Sequence, residues 1–567
     1  MDIKGKKILI LGGWGLVGSA ILRKMVLHQP EEIVILSLKE QEARDACNQL
    51  AKETKNIKLT PEWGNIFVNA KLKDLPREEI LYNPENRALL LKDVMEALDD
   101  ETLTSSWLYQ VITKHQPHIL IDSVNSATGL AYQDIFTGYY NIKRELKKAR
   151  NADALTPDLL IEIDKMLATQ YVPQIIRHVQ ILHTSMLEAA TGIYLKIGTT
   201  GTGGMGLNIP YTHSEERPSR VLMSKSSLAG AHTMLLFLMS RTPGGPLCKE
   251  IKPAAAIAWK GIHYGEIRKH GKPIRLYDCK AENAVSLGNA YDFRGNNQWQ
   301  DLNDTLKSVY IDTGENGIFS MGEYETITTY GQMEFVTPEE IATSVIMEIL
   351  GDSSGHDVIN ALENSVMGPT YRAGYLRHQA LNEMEHLEKK HDTNSIAFEI
   401  LGPPRLSKLL FEAHLLKLCF NTLTELANAS VEQIMKSAQD QILKNDRLRS
   451  EAISVGIPIL MPDGKQLLRG PNVIIPVQIG DDVIPMNAAN MNDWAKAGWM
   501  DLREVNIKLW KSRAQKVVDY VKALPHEDNS SRYSHGIQYW NIDSALNIGK
   551  IAAWIFIHED EGLRIKR

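Results

Sequence analysis

The sequence predicts an α/β protein: a doubly wound parallel sheet with helical insertions, followed by a mostly helical C-terminal extension. Three observations predict it. Short, uniformly apolar runs rich in Ile, Leu and Val recur through the first part of the chain, and helical apolar spacing separates them. Beyond residue 366, long amphipathic segments replace those runs. At 567 residues the chain is long for one domain. We expect a first domain over 1–365, with helical insertions at 68–112 and 130–165, and an extension over 366–567 with a hairpin near 455–477.

Composition narrows the function classes. A net charge of −6 with 23% charged residues gives no general pull toward nucleic acid or an anionic membrane. Cys47, Cys248, Cys279 and Cys419 lie far apart without a CxxC pair, so they read as reduced thiols and no metal is expected. No run approaches ~18 apolar residues, and no leader-like segment opens the chain. The expectation is a cytoplasmic protein acting on a small molecule.

The first element is KILIL (7–11), a strand buried on both faces. ILGGWGLVGSA follows, with Gly12, Gly15 and Gly18 three apart. A helix comes next, placing Val17, Ile21, Met25 and Leu27 on one side while Arg23 and Lys24 face out; EEIVILSL then gives a second strand. A glycine turn between strand and helix suits the pyrophosphate of a dinucleotide. Gly12 permits the turn, Gly15 lets main-chain N–H groups approach, Gly18 lets helix and strand pack, and the helix N-terminus faces the phosphates. The residues expected along the cofactor are therefore Gly12, Gly13, Trp14, Gly15, Leu16, Val17 and Gly18 of a Rossmann-type domain.

The spacing GxxGxxG resembles the short-chain dehydrogenase/reductase superfamily, and within it the extended branch of sugar-nucleotide epimerases and dehydratases. Later landmarks fall in order over roughly residues 5–355. An acid at the end of the second strand would select NAD. Ser37 and Lys39 stand there instead, which favours NADP slightly, with Glu40 and Glu42 keeping NAD open. Asn65 and Ile66 lie where the family meets adenine, although a plain loop fits them as well. In PHILIDSVNSATG the strand-four exit, Val124, Asn125, Ser126 and Ala127, is expected along the cofactor.

By the same resemblance, IGTT puts Thr200 where a hydroxyl holds the reacting oxygen, and Ser224-Lys225 matches the end of the family's Tyr-x-x-x-Lys signature, whose lysine also binds ribose. Four residues before Lys225 stands Val221, which cannot move a proton. The literal match at Tyr139–Lys143 lies in the charged insertion and is taken as coincidence. Tyr211, with His213 and Tyr264 as alternatives, is the candidate acid/base; a wall residue is the other reading of Tyr211. Thr337 followed by Pro338 and two acids opens a late helix. In the extension, a hairpin turning at Pro462-Asp463-Gly464 and a helix capped by Asp501 are expected. Two function classes remain: an NAD(P)-dependent oxidoreductase or epimerase/dehydratase, homo-oligomeric as is common in the superfamily, or a non-catalytic dinucleotide-binding regulator.

Overall fold

A computed structural model describes the chain except for residues 55, 127–129, 131–134, 153–155, 199–219, 254–255, 270, 289, 293–297, 315–316, 330–335, 353–357, 360–363, 368–369, 401–403, 478–482, 528–536 and 560–567. Two compact units emerge. The first takes Met1–Gly206, Arg220–Ala258 and Glu334–Gly374; the second takes Trp259–Met333 and Tyr375–Arg567. The sequence reading placed 259–333 with the first unit. Those residues form short antiparallel strands that pair among themselves and with 466–485, which draws them into the second.

The first unit alternates strand and helix. Its elements begin β1 (Lys7–Leu11), α1 (Leu16–Met25), β2 (Glu32–Ser37), α2 (Glu40–Leu50) and β3 (Lys58–Trp63). The first insertion follows as α3 (Arg77–Tyr82), α4 (Pro84–Met95), α5 (Asp100–Ser105) and α6 (Trp107–His115). After β4 (Ile119–Asp122) the second insertion supplies α7 (Ile135–Ala152) and α8 (Pro157–Ala168), leading into α9 (Tyr171–Glu188). Then come β5 (Ile193–Ile197), α10 (Arg220–Ser240), β6 (Leu247–Pro253), α11 (Pro338–Leu350), β7 (Val358–Ile359) and β8 (Asn364–Met367).

The sheet order is β7-β8-β6-β5-β4-β1-β2-β3, parallel except for the antiparallel edge pair β7–β8. This is the doubly wound Rossmann order, with the reversal between β1 and β4. One face packs Ile8, Ile10, Ile33 and Ile35 against α1, α2 and α11; the other packs Leu9, Leu11, Val34 and Leu120 against α6, α9 and α10. Thr337 caps α11 as expected, its hydroxyl accepting from the Glu340 N–H while the Glu340 side chain accepts from the Thr337 N–H. Leu27 departs from expectation: α1 ends at Met25, and Leu27 sits in a 3-10 turn, 76% exposed.

The second unit holds a three-stranded sheet (Ile318–Phe319, Lys307–Asp312, Gly261–Glu266) and a four-stranded one built on the Ile459–Leu460/Gln466–Leu468 hairpin. That hairpin turns as expected at Gly464, whose φ is +63°. Helix Pro404–Cys419 is buried on nearly every side, and its carboxylate Glu412 collects the Asp501 and Asn506 N–H groups, the Trp510 indole and Lys408. Asp501 is not a helix cap. It lies in strand Met500–Asp501 and pairs with Arg503, which caps helix Glu504–Ala523. Among the described residues, no helix is long and apolar enough to cross a membrane.

Candidate functional site

The glycine turn has the geometry its spacing implies. Gly12 has φ +82°, and a Cβ there would lie 2.9 Å from Ser123 Oγ. The Gly12 and Gly13 N–H groups donate to the Leu36 carbonyl at 2.8 and 3.1 Å, pinning the turn to β2. Gly15 caps α1 with extended backbone, and its own Cβ would meet only the Gly12 carbonyl, at 3.3 Å. The outer side of Gly15 is therefore free for a ligand. A Cβ on Gly18 would collide with the Gly12 carbonyl oxygen. Leu16 and Val17 begin the helix, where the first N–H groups lack intrahelical partners. The cradle fits a pyrophosphate.

Around it, Ser37 is buried and its Oγ accepts the Trp14 N–H at 3.2 Å, so this hydroxyl braces the glycine turn. Lys39 caps α2 and is exposed. Asn65 Oδ1 accepts from the Phe67 N–H at 3.0 Å, so its side chain shapes its own turn, while Ile66 is buried in the core. Tyr264 lies in strand Gly261–Glu266 of the second unit, its ring stacked on His391 at 4.0 Å. Thr200, Tyr211 and His213 lie outside the described residues, as does Ala127. Val221 is on α10, and Lys225 is buried on that helix. From α9, the Tyr171 hydroxyl donates to Ser224 Oγ at 3.4 Å.

Sequence reasoning missed a buried polar row. Register pairs Asp122 with Lys196 and Lys196 with Glu250, so three charged residues stand side by side across β4, β5 and β6. Lys196 Nζ lies 2.9 Å from Asp122 Oδ2 and donates to the Val124 carbonyl at 2.6 Å and Ser126 Oγ at 3.2 Å. Its three protons are thereby matched to three acceptors, two of them on the segment expected beside the cofactor. Tyr194 donates to Asp122 Oδ2 at 3.0 Å, and Asp122 Oδ1 accepts the Val124 N–H. Burial works to raise the Asp122 pKa, but the Lys196 ammonium outweighs it and holds the carboxyl below its usual range.

Two histidines and an acid complete the cluster. His178 (α9) and His232 (α10) meet edge to face at 6.2 Å. Burial pushes His178 down to about 4 and His232 well below the ordinary imidazole value, so both are neutral. Glu250 is pushed up by burial, against Lys252, whose ammonium is 3.7 Å away. The available signal was a charge inside each apolar strand run, ILID, IYLKI and LCKEIKP.

Residues 276–560, just over half of the chain, match the family described as the beta-methylindole-3-pyruvate reductase C-terminal domain. The chain belongs to that family. The beta-methylindole-3-pyruvate reductase C-terminal match covers most of the second unit and leaves β1 to β6 outside it. No curated protein matches the chain. Similar solved structures include Pen from Bacillus thuringiensis, 10% identical over 70% of this chain and 78% of that one, TM-score 0.29. A 3-oxoacyl-[acyl-carrier protein] reductase from Brucella melitensis is 11% identical over 64% and 90%, TM-score 0.30. A short-chain dehydrogenase from Burkholderia cenocepacia, solved with NADP, is 8% identical over 69% and 98%, TM-score 0.29.

Proposed function

We propose that the chain is an NAD(P)-dependent oxidoreductase that interconverts a carbonyl and an alcohol. The observation that carries this reading is the Gly12–Gly18 turn at the carboxyl end of β1, beside the switch point of the sheet, where α/β proteins of this order bind dinucleotides. A reductase name on the matched family favours reduction over epimerisation or dehydration, and points to a 2-oxo acid with an aromatic side chain as the substrate class. Lys39 favours NADP over NAD.

In this reading the bound nicotinamide supplies the hydride, and the chain binds, orients and protonates. Gly12, Gly13, Trp14, Gly15, Leu16, Val17 and Gly18 hold the pyrophosphate on main-chain N–H groups and the α1 dipole. Val124, Asn125 and Ser126, tied down by Lys196, pass beside the ribose. Lys225 holds ribose hydroxyls, Thr200 holds the reacting oxygen, and Tyr211 is the candidate proton donor in place of Val221. We place the protein in the cytoplasm as a homo-oligomer, dimer or tetramer; exposed Met223, Met234 and Leu238 on α10 give an apolar stripe suited to self-association.

Calorimetry with NADPH and NADH, then a panel of aryl 2-oxo acids followed at the reduced-nicotinamide absorbance, tests the reading. Binding with turnover that Lys225→Ala abolishes is the expected result. Tight binding with no redox change on any carbonyl favours the regulatory alternative, whose main support is Val221, with the size of the insertions beside it.

A further inference from the structure

We propose that Glu250 and His232, joined by one water molecule in the cavity between them, form a proton-holding site beneath the active-site end of the sheet that serves the reacting oxygen. The inference rests on the oxidoreductase reading and names Glu250, in place of Tyr211, as the source of the proton that Val221 cannot give.

Placement is the first argument. A cavity of about 20 Å³ is bounded by Val124, Ser126, Gly198, Ala229, His232 and Glu250. That volume accommodates one water. Two of the walls belong to the segment assigned to the cofactor's side. His232 lies two helical turns beyond Lys225 on α10, on the same face of that helix. Gly198 matters here because a Cβ on it would collide with Glu250 Oε1; glycine lets the carboxyl lie against the backbone at the end of β5.

Unmet hydrogen bonding is the second argument. Among the described residues, no hydrogen-bond partner meets His232 Nε2, and Glu250 Oε2 has the Lys252 ammonium at 3.7 Å, beyond hydrogen-bond reach; both residues are more than nine-tenths buried. Buried polar atoms of this kind are normally satisfied, by ordered water where protein groups do not reach. A water in the cavity donates to Nε2 of the neutral imidazole and receives from a protonated carboxyl.

Electrostatics is the third. Lys196, His178, Asp122 and Lys252 face His232, and the nearby cations add to burial in keeping it uncharged. Around Glu250 stand Lys252, Thr233 and Lys196, with Thr233 Oγ1 3.3 Å from Oε1. Burial raises the carboxyl, so it keeps its proton to higher pH than a free glutamate, while Lys252 and Lys196 stabilise the carboxylate once the proton has left. The balance for reduction is complete. The carbonyl carbon accepts hydride from the reduced dinucleotide, the C=O π pair moves to oxygen, and oxygen takes the proton that Glu250 passes through the water. Solvent then reprotonates Glu250. Oxidation runs the same steps backwards.

The test uses the full chain and two variants, Glu250→Gln and His232→Asn, each checked for a wild-type melting curve. Infrared difference spectra followed against pH are expected to show the C=O stretch of a protonated buried carboxyl persisting in wild type to higher pH than a free glutamate allows, and to lose it in Glu250→Gln. With NADPH and an aryl 2-oxo acid, Glu250→Gln is expected to lower kcat about 100-fold and remove the alkaline limb of its pH profile, with the NADPH Kd unchanged. His232→Asn is expected to lower kcat less and keep the infrared band. A band absent from wild type, or present with kcat unchanged in both variants, overturns the proposal. If wild type binds NADPH but turns over no carbonyl, the oxidoreductase reading falls, while a Glu250-dependent band still upholds the proton-holding site.

Discussion

Lys196 Nζ stands 2.9 Å from Asp122 Oδ2, and both side chains are almost wholly withdrawn from water. In so dry a setting the attraction roughly offsets what each charge loses on leaving solvent, so the pair adds little net stability while it is intact. Breaking it is another matter. Lys196→Met leaves Asp122 charged and frees Val124 and Ser126, and Asp122→Asn leaves Lys196 uncompensated. Each single variant is expected to lose about 3–5 kcal/mol in urea unfolding, and the double variant clearly less than the sum. Strict additivity would show that the pair is not coupled.

Gly18 gives the second prediction. Its missing Cβ is what lets α1 close on the Gly12 carbonyl. Gly18→Ala forces the helix away from the turn and is expected to cost about 1–3 kcal/mol and to weaken NADPH binding at least tenfold by calorimetry. Gly15→Ala, whose Cβ meets the Gly12 carbonyl at 3.3 Å and not at collision distance, is expected to cost less stability than Gly18→Ala and to weaken binding at least as much. Together the two variants separate packing from ligand access.

The glycine turn is legible in a single chain. Positive φ at Gly12 and the close approach at Gly18 are local demands that only glycine meets, so they surface as residue identity at fixed spacing. Likewise Thr337, Pro338 and Glu340 announce the start of α11 within four residues. The Asp122–Lys196–Glu250 row could not be read this way. It arises from lateral register between strands that start 74 and 54 residues apart, and no local pattern encodes such a register. The second unit was obscure for a related reason: many of its strands are two or three residues long, too short for alternation to show.

His178 supplies a pH signature. Burial first, and the Lys196 charge with it, lower this imidazole to about 4, against the pull of Asp122. The unfolded chain therefore takes up the proton first as pH falls below about 6.5, and folded-state stability is lost from there down to about 4. The loss amounts to about 3 kcal/mol for this group alone. His178→Leu, of similar size and without ring nitrogens, is expected to flatten that part of the acid limb. An unchanged slope in chemical unfolding across this range would contradict the assignment.

Glu412 carries the corresponding argument for the second unit. Its two oxygens accept from Lys408, the Asp501 N–H, Asn506 and the Trp510 indole, all inside the unit. Glu412→Leu strands all four donors in an apolar setting and is expected to cost at least about 3–5 kcal/mol. Glu412→Gln keeps an acceptor in place and is expected to retain more of the stability, so the order Gln above Leu in urea midpoints is the measurement that counts.

The proposed preference for NADP over NAD rests on Lys39. It stands at the start of α2 just past the end of β2, exposed, where the proposed reading sets the 2′-phosphate. The neighbouring Arg44 is already held by Glu40 at 2.7 Å, which leaves Lys39 as the cation most available to the phosphate. Lys39→Glu replaces attraction with repulsion and is expected to weaken NADPH about fivefold or more while leaving NADH within about twofold. Raising salt is expected to shrink the difference, because an exposed charge pair is screened over roughly 10 Å at 0.1 M. Equal losses for NADPH and NADH would instead assign Lys39 to the structure of the β2–α2 turn, and parity between the two cofactors in wild type would remove the preference for NADP altogether.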